Sequence, residues 1–123
     1  GNVSGFRYKT KADGMPEWEK IDDSFKNIKV KRYASPALFK DADKIYLLVG
    51  QQDGRISTFV ADAGKTGMPV FYRNGYLGDI QLNNHSSPAV FSKNGIIEIS
   101  IGDYNGNLKH FTCKNDLVEI KAN

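Results

Sequence analysis

The sequence has a single cysteine, Cys113, so no disulfide can form within the chain and the redox setting is left open. It has no apolar run approaching the ~20 residues that a membrane-spanning helix needs. Its first residues, GNVSGFRYK, lack the long apolar segment of a secretory leader. A cleaved leader would leave no trace, so this absence does not exclude secretion. Helical spacing is sustained nowhere along the chain. Charge of one sign is scarce as well: 17 Lys and Arg stand against 14 Asp and Glu, a net charge of +3, far from a polybasic tail. What is there is an ordinary globular composition, 40% hydrophobic and 25% charged over 123 residues. That is enough for one domain with a modest core.

The informative feature is an internal repeat. SPALFKDADKIYLLVGQQDGRISTF, from Ser35, aligns without a gap on SPAVFSKNGIIEISIGDYNGNLKHF, from Ser87. One offset of 52 residues pairs Pro36 with Pro88, Phe39 with Phe91, Ile45 with Ile97, Gly50 with Gly102, Gly54 with Gly106 and Phe59 with Phe111. The pattern extends backward. GNVSGF at the start reads like GRISTF from Gly54, and GMPEWEK from Gly14 reads like GMPVFYR from Gly67. FKNIKV from Phe25 then aligns with LGDIQL from Leu77. The chain therefore holds two full units preceded by the second half of a third: 1–34 a partial unit and linker, 35–86 a full unit, and 87–123 the last.

Periodicity predicts four strands per unit. In the first full unit these fall over 35–39, 45–50, 55–61 and 69–74. In the last they fall over 87–91, 96–102, 107–114 and 117–121. Asp-Gly and Asn-Gly join the second strand to the third, as hairpin turns require. IYLLV is apolar on both faces and predicts a strand sandwiched between sheets. IIEISI alternates, with Ile97, Ile99 and Ile101 on one face and Glu98 and Ser100 on the other, so the last unit has one face less covered. Four short antiparallel strands repeated at this period predict an all-β fold of β-propeller blades, an incomplete propeller in a single chain.

The repeat resembles FG-GAP/VCBS-type propeller repeats. The two aligned segments carry the likeness, and GMPVFYRN at 67–74 looks like the link between such blades. The resemblance implies a non-catalytic module for protein or ligand binding or scaffolding, in a secreted or cell-surface protein. A carbohydrate-binding propeller and an accessory domain of a larger enzyme are the alternatives. Propellers of this kind close a ring of several blades. The chain reads either as a piece of a longer propeller, its Gly1 lying inside a blade, or as a protomer that completes its neighbours. Both predict self-association through open blade faces.

Candidate chemistry is sparse. Family members often carry an Asp-x-Asp-x-Asp-Gly calcium loop between the first two strands. KDADKI keeps Asp41 and Asp43 but has Ile45 in place of the third acid, and the matching loop of the last unit has Lys93 in place of Asp41. Two carboxylates are few for calcium, so no cofactor is expected. GKT at 64–66 lacks the earlier glycine of a phosphate loop. His110 and Cys113 are three apart on a strand and face opposite sides. The basic residues Lys26, Lys29, Lys31 and Arg32 read as a solvated strand face with Val30 inward, which makes nucleic acid an unlikely partner. Phe6, Phe59 and Phe111 recur as core, and Trp18 matches Phe71 as packing. Tyr33, Tyr76 and Tyr104 are the less constrained aromatics and the candidate contacts for a protein or glycan partner. Asp103 corresponds to Gln51 and Asn105 to Asp53, which assigns both to turn chemistry.

Overall fold

The computed structural model describes residues 1–41, 43–62, 69–114 and 120–122. The GKT segment and residues 115–119 of the expected last strand lie outside them. The fold is all-β, and the described residues form three antiparallel sheets and one short helical turn. Strands β1 (Phe6–Thr10) and β2 (Pro16–Lys20) form a hairpin, followed by α1 (Asp22–Phe25). Strands β3 (Ser35–Asp41), β4 (Lys44–Gly50), β5 (Ile56–Asp62) and β6 (Tyr72–Tyr76) form the first four-stranded sheet, in that order. Strands β7 (Ser87–Lys93), β8 (Ile96–Gly102), β9 (Leu108–Lys114) and β10 (Ile120–Ala122) form the second, again in sequence order.

The repeat is visible in the register. Ser35 pairs with Gly50 as Ser87 pairs with Gly102, and Leu47 pairs with Phe59 as Ile99 pairs with Phe111. The first strands of the two sheets lie side by side, where the Ser35 and Ser87 hydroxyls share a hydrogen bond of 2.9 Å.

Alternation along each strand decides what packs where. One face of the first sheet gives Phe39, Leu48 and Ile56 to a core shared with Ile97, Ile99, Ile101, Phe111 and Cys113 of the second. Leu77 and Leu82, from the segment after β6, fill the same seam. The opposite face gives Leu47, Val49, Phe59, Ala61 and Phe71 to a second core with Ile28 and Val30. β4 is thus apolar on both faces because each face meets a different neighbour. Each such buried Leu, Ile or Phe contributes about 1.5–3 kcal/mol.

Three expectations need correction, and one element was not foreseen. The fourth strand of the first full unit begins at Tyr72 rather than at Pro69, because Pro69 has no N–H to give and the Phe71 N–H donates to the Ser24 carbonyl at 3.1 Å. The basic segment around Val30 is not a strand: Ile28 and Val30 point inward and Lys29 and Lys31 outward, but no ladder forms. Phe6 and Trp18, expected as core and packing residues, are exposed together with Tyr8, because no described segment covers that side of the β1–β2 hairpin. The helical turn α1 was not legible at all, since its four residues are too few to show a period.

Candidate ligand-binding face

The hairpins of residues 50–54 and 102–106 share one turn geometry. Gly54 donates to the Gln51 carbonyl at 3.2 Å, and Gly106 to that of Asp103 at 3.1 Å. Both glycines sit at φ 84°, a left-handed conformation open to glycine at little cost. The linkers before β3 and β7 are tied to these turns in parallel fashion. Gln52 donates to the Arg32 carbonyl and Tyr104 to the Asn84 carbonyl, each at 2.9 Å. The next residue of each linker is left-handed although it is not glycine: Tyr33 at φ 63° and His85 at φ 60°. A side chain in that region costs about 1–2 kcal/mol. Here it directs an aromatic ring outward at equivalent positions of two units.

These rings meet. Tyr33 and His85 lie 4.7 Å apart between centroids, and His85 and Tyr104 lie 5.3 Å apart. The result is a row of three rings, Tyr33–His85–Tyr104, along one edge of the molecule, and both tyrosines are exposed. Two of the three sequence candidates are therefore brought together by a histidine that sequence reasoning passed over. The one available signal was that His85 occupies, 52 residues on, the position of Tyr33.

Tyr76 is elsewhere. It ends β6, with the Arg55 and Arg73 guanidinium carbons 4.9 and 4.8 Å from its ring centroid. A shallow cavity of about 200 Å³ lies beside it, lined in part by Arg55, Tyr76 and Asp79. Asp41 ends β3 opposite Lys44 in the ladder, Asp43 directly precedes β4, and the Lys44 ammonium reaches Asp62 at 3.3 Å. Among the described residues no group of three or more His, Cys, Asp and Glu side chains could hold a metal ion.

No family model, curated protein or solved structure matches the chain. The site is therefore read from its own geometry and charge. Behind the ring row lie two carboxylates that belong to the turns. Partial burial pushes the Asp53 carboxyl up. Hydrogen bonds from the Gln51 side chain, the Arg55 N–H and the Lys31 ammonium outweigh this and hold it below the usual carboxylate range. Desolvation of Asp103 is likewise outweighed by the N–H and side chain of Asn107 and the N–H of Asn105, so its carboxyl is also lowered. Both acids are committed to turn hydrogen bonds.

One polar constellation across β8 and β9 was not anticipated. The Ser100 hydroxyl lies 2.8 Å from His110 Nδ1, and His110 Nε2 lies 4.0 Å from a Glu98 carboxylate oxygen. This places a hydroxyl, an imidazole and a carboxylate in sequence, the residue types of a hydrolytic triad. Yet Ser100 and His110 are directly opposed in the β8–β9 ladder, whose backbone N–H groups face the neighbouring strand rather than a developing oxyanion. All three side chains lie on the face of this sheet opposite Ile97, Ile99 and Ile101. Cys113 points the other way, into the core. No described helix is long and apolar enough to cross a membrane.

Proposed function

We propose that the chain is a run of β-propeller blades of the FG-GAP/VCBS type that its repeat resembles, and that it serves as a non-catalytic recognition or scaffold module of a secreted or surface protein. Support for the blade reading comes from two four-stranded sheets with one strand order and one register, stacked at a 52-residue offset on an apolar seam. The observation that carries recognition is the ring cluster Tyr33–His85–Tyr104, with both tyrosines exposed and with Tyr33 and His85 at equivalent positions of successive units, held there at a cost in backbone strain.

The same row favours carbohydrate as the ligand class. The exposed rings of Tyr33 and Tyr104, both in contact with His85, offer apolar surface to the C–H face of a sugar, with phenol and imidazole groups for its hydroxyls. A glycan array followed by a tyrosine-fluorescence titration tests this. Tyr33→Ala and Tyr104→Ala are each expected to weaken binding roughly 3- to 10-fold, and Tyr76→Ala to leave it unchanged. A silent array, or loss of binding only with Tyr76→Ala, removes the carbohydrate reading. Turnover of ester or glycoside substrates that disappears in Ser100→Ala would overturn the non-catalytic one.

A further inference from the structure

The hairpins of residues 50–56 and 102–108 are built alike and surrounded differently. Over the first, the segment of residues 82–86 bends closely, with His85 left-handed, bonding Leu82 N–H to the Gly54 carbonyl at 3.0 Å, His85 N–H to the Gln52 carbonyl at 3.0 Å and Ser86 N–H to the Gln51 carbonyl at 3.2 Å. The Ser86 hydroxyl is inserted into the hairpin itself. It accepts the Gln51 N–H at 3.1 Å and donates to the Arg55 carbonyl at 2.7 Å. A β-carbon on Gly50 would collide with the Ser86 carbonyl, and one on Gly54 with the Leu82 carbonyl. The segment can lie this close only because both residues are glycine.

The second hairpin keeps both glycines without that use. Among the described residues nothing lies within 4 Å of a β-carbon placed on Gly102 or Gly106. Gly106 is required by its own turn. Gly102 has no left-handed backbone to explain it. Asp103 N–H closes directly onto the Asn107 carbonyl at 3.1 Å, the link that Ser86 interrupts in the first hairpin. The side chains beside the hairpin change in the same sense. Ile56 is 0% exposed and its counterpart Leu108 is 74% exposed, while Phe39 is 8% and its counterpart Phe91 is 55%.

We propose that the 102–108 hairpin, with Phe91 and Leu108 beside it, is a docking site for a polypeptide segment of the pattern Leu-x-x-x-Ser-x-Pro, brought by a further repeat unit built like residues 82–88. The seam already formed 52 residues earlier supplies the geometry: an apolar residue over the second glycine, a serine into the hairpin mouth and a proline beside the first glycine. A second copy of this chain is not the occupant. Its two segments of this register are taken, Leu82 on Gly54 and Val30 on Gly1, the latter through an N–H to carbonyl bond of 2.9 Å. The proposal rests on the repeat and stands apart from the carbohydrate reading.

Titration of isotope-labelled protein with a synthetic peptide of residues 81–91, followed by amide NMR, tests it. Saturable shifts are expected at Gly102, Gly106 and Leu108, with a Kd below about 1 mM. Gly102→Ala has open space around it and should fold unchanged, which the remaining amide spectrum checks, yet bind the peptide at least about fivefold more weakly. Replacing the peptide serine that corresponds to Ser86 by alanine should cost roughly 3- to 10-fold. Absence of shifts up to about 1 mM peptide overturns the proposal, as do shifts confined to another face or equal affinity in Gly102→Ala. If the Gly102 and Gly106 amides shift with protein concentration alone, the occupant is a second copy and the assignment is wrong.

Discussion

Asp53 and Asp103 cap the same turn from two different positions. Asp53 is the third residue after Gly50 and accepts from the Arg55 N–H at 3.1 Å, whereas Asp103 directly follows Gly102 and accepts from the equivalent Asn107 N–H at 2.9 Å. A carboxylate is thus retained while its place moves, because either position can reach the orphan donor of the turn. Asp53 also ties the turn to the preceding linker through Lys31 at 3.1 Å. Its folded-state pKa is lowered, so its contribution to stability is present above the unfolded carboxylate pKa of about 4 and is lost as the pH falls through the folded value. Urea unfolding midpoints should hold level from about pH 7 to pH 5 and drop below about pH 4. Asp53→Asn should flatten part of that drop, and an unchanged acid limb in this variant would dismiss the link. At this scale the sequence was legible where residue type and turn chemistry coincide, as at Gly54 and Gly106. It was silent on His85 because nothing in a lone histidine signals a left-handed backbone or a ring neighbour.

Strands were legible where the pattern left no room for a helix: β8 through the alternation of IIEISI, and β4 and β5 through short apolar and β-branched runs joined by an Asp-Gly turn. The start of β6 was not, because Phe71 is apolar like its strand neighbours yet bonds to Ser24 across the seam instead of to β5. The repeat matched GMPEWEK to the segment that leads into the fourth strand, where β2 lies, but aligned Gly1–Phe6 with the third strand, whereas β1 runs Phe6–Thr10. The burial of the β1–β2 hairpin was misjudged, since the pairing of Phe6 with Phe59 and of Trp18 with Phe71 says nothing of what lies opposite. This hairpin has only two strands, joined by the Arg7–Glu19 ion pair at 2.9 Å on one face and the Tyr8–Trp18 ring contact at 5.5 Å on the other. Two-stranded ribbons are marginal alone. Hydrogen exchange should therefore find the paired amides of β1 much less protected than those of β4, which is sandwiched between two strands and two cores. Equal protection would mean that the hairpin opens only with the whole molecule.

The molecule as a whole has two unlike ends. One presents Phe6, Tyr8 and Trp18, exposed and adjacent on the β1–β2 hairpin, and the other presents Glu98, Ser100 and His110 between Phe91 and Leu108. The aromatic end is the more apolar. Sedimentation velocity should show weak, concentration-dependent association that Trp18→Lys abolishes, with tryptophan emission moving to shorter wavelength as association proceeds. A strict monomer at high concentration would count against this. Between the two ends, the linker of residues 82–86 bonds backward to the hairpin of residues 50–54 and forward, from Asn84, to Tyr104. On a growing chain the backward bonds are available as soon as the linker has been made, whereas the forward one must wait for some twenty further residues to emerge. Order can thus be laid down in the direction of synthesis, each linker fastening finished structure before supplying the partner that its successor's turn will need.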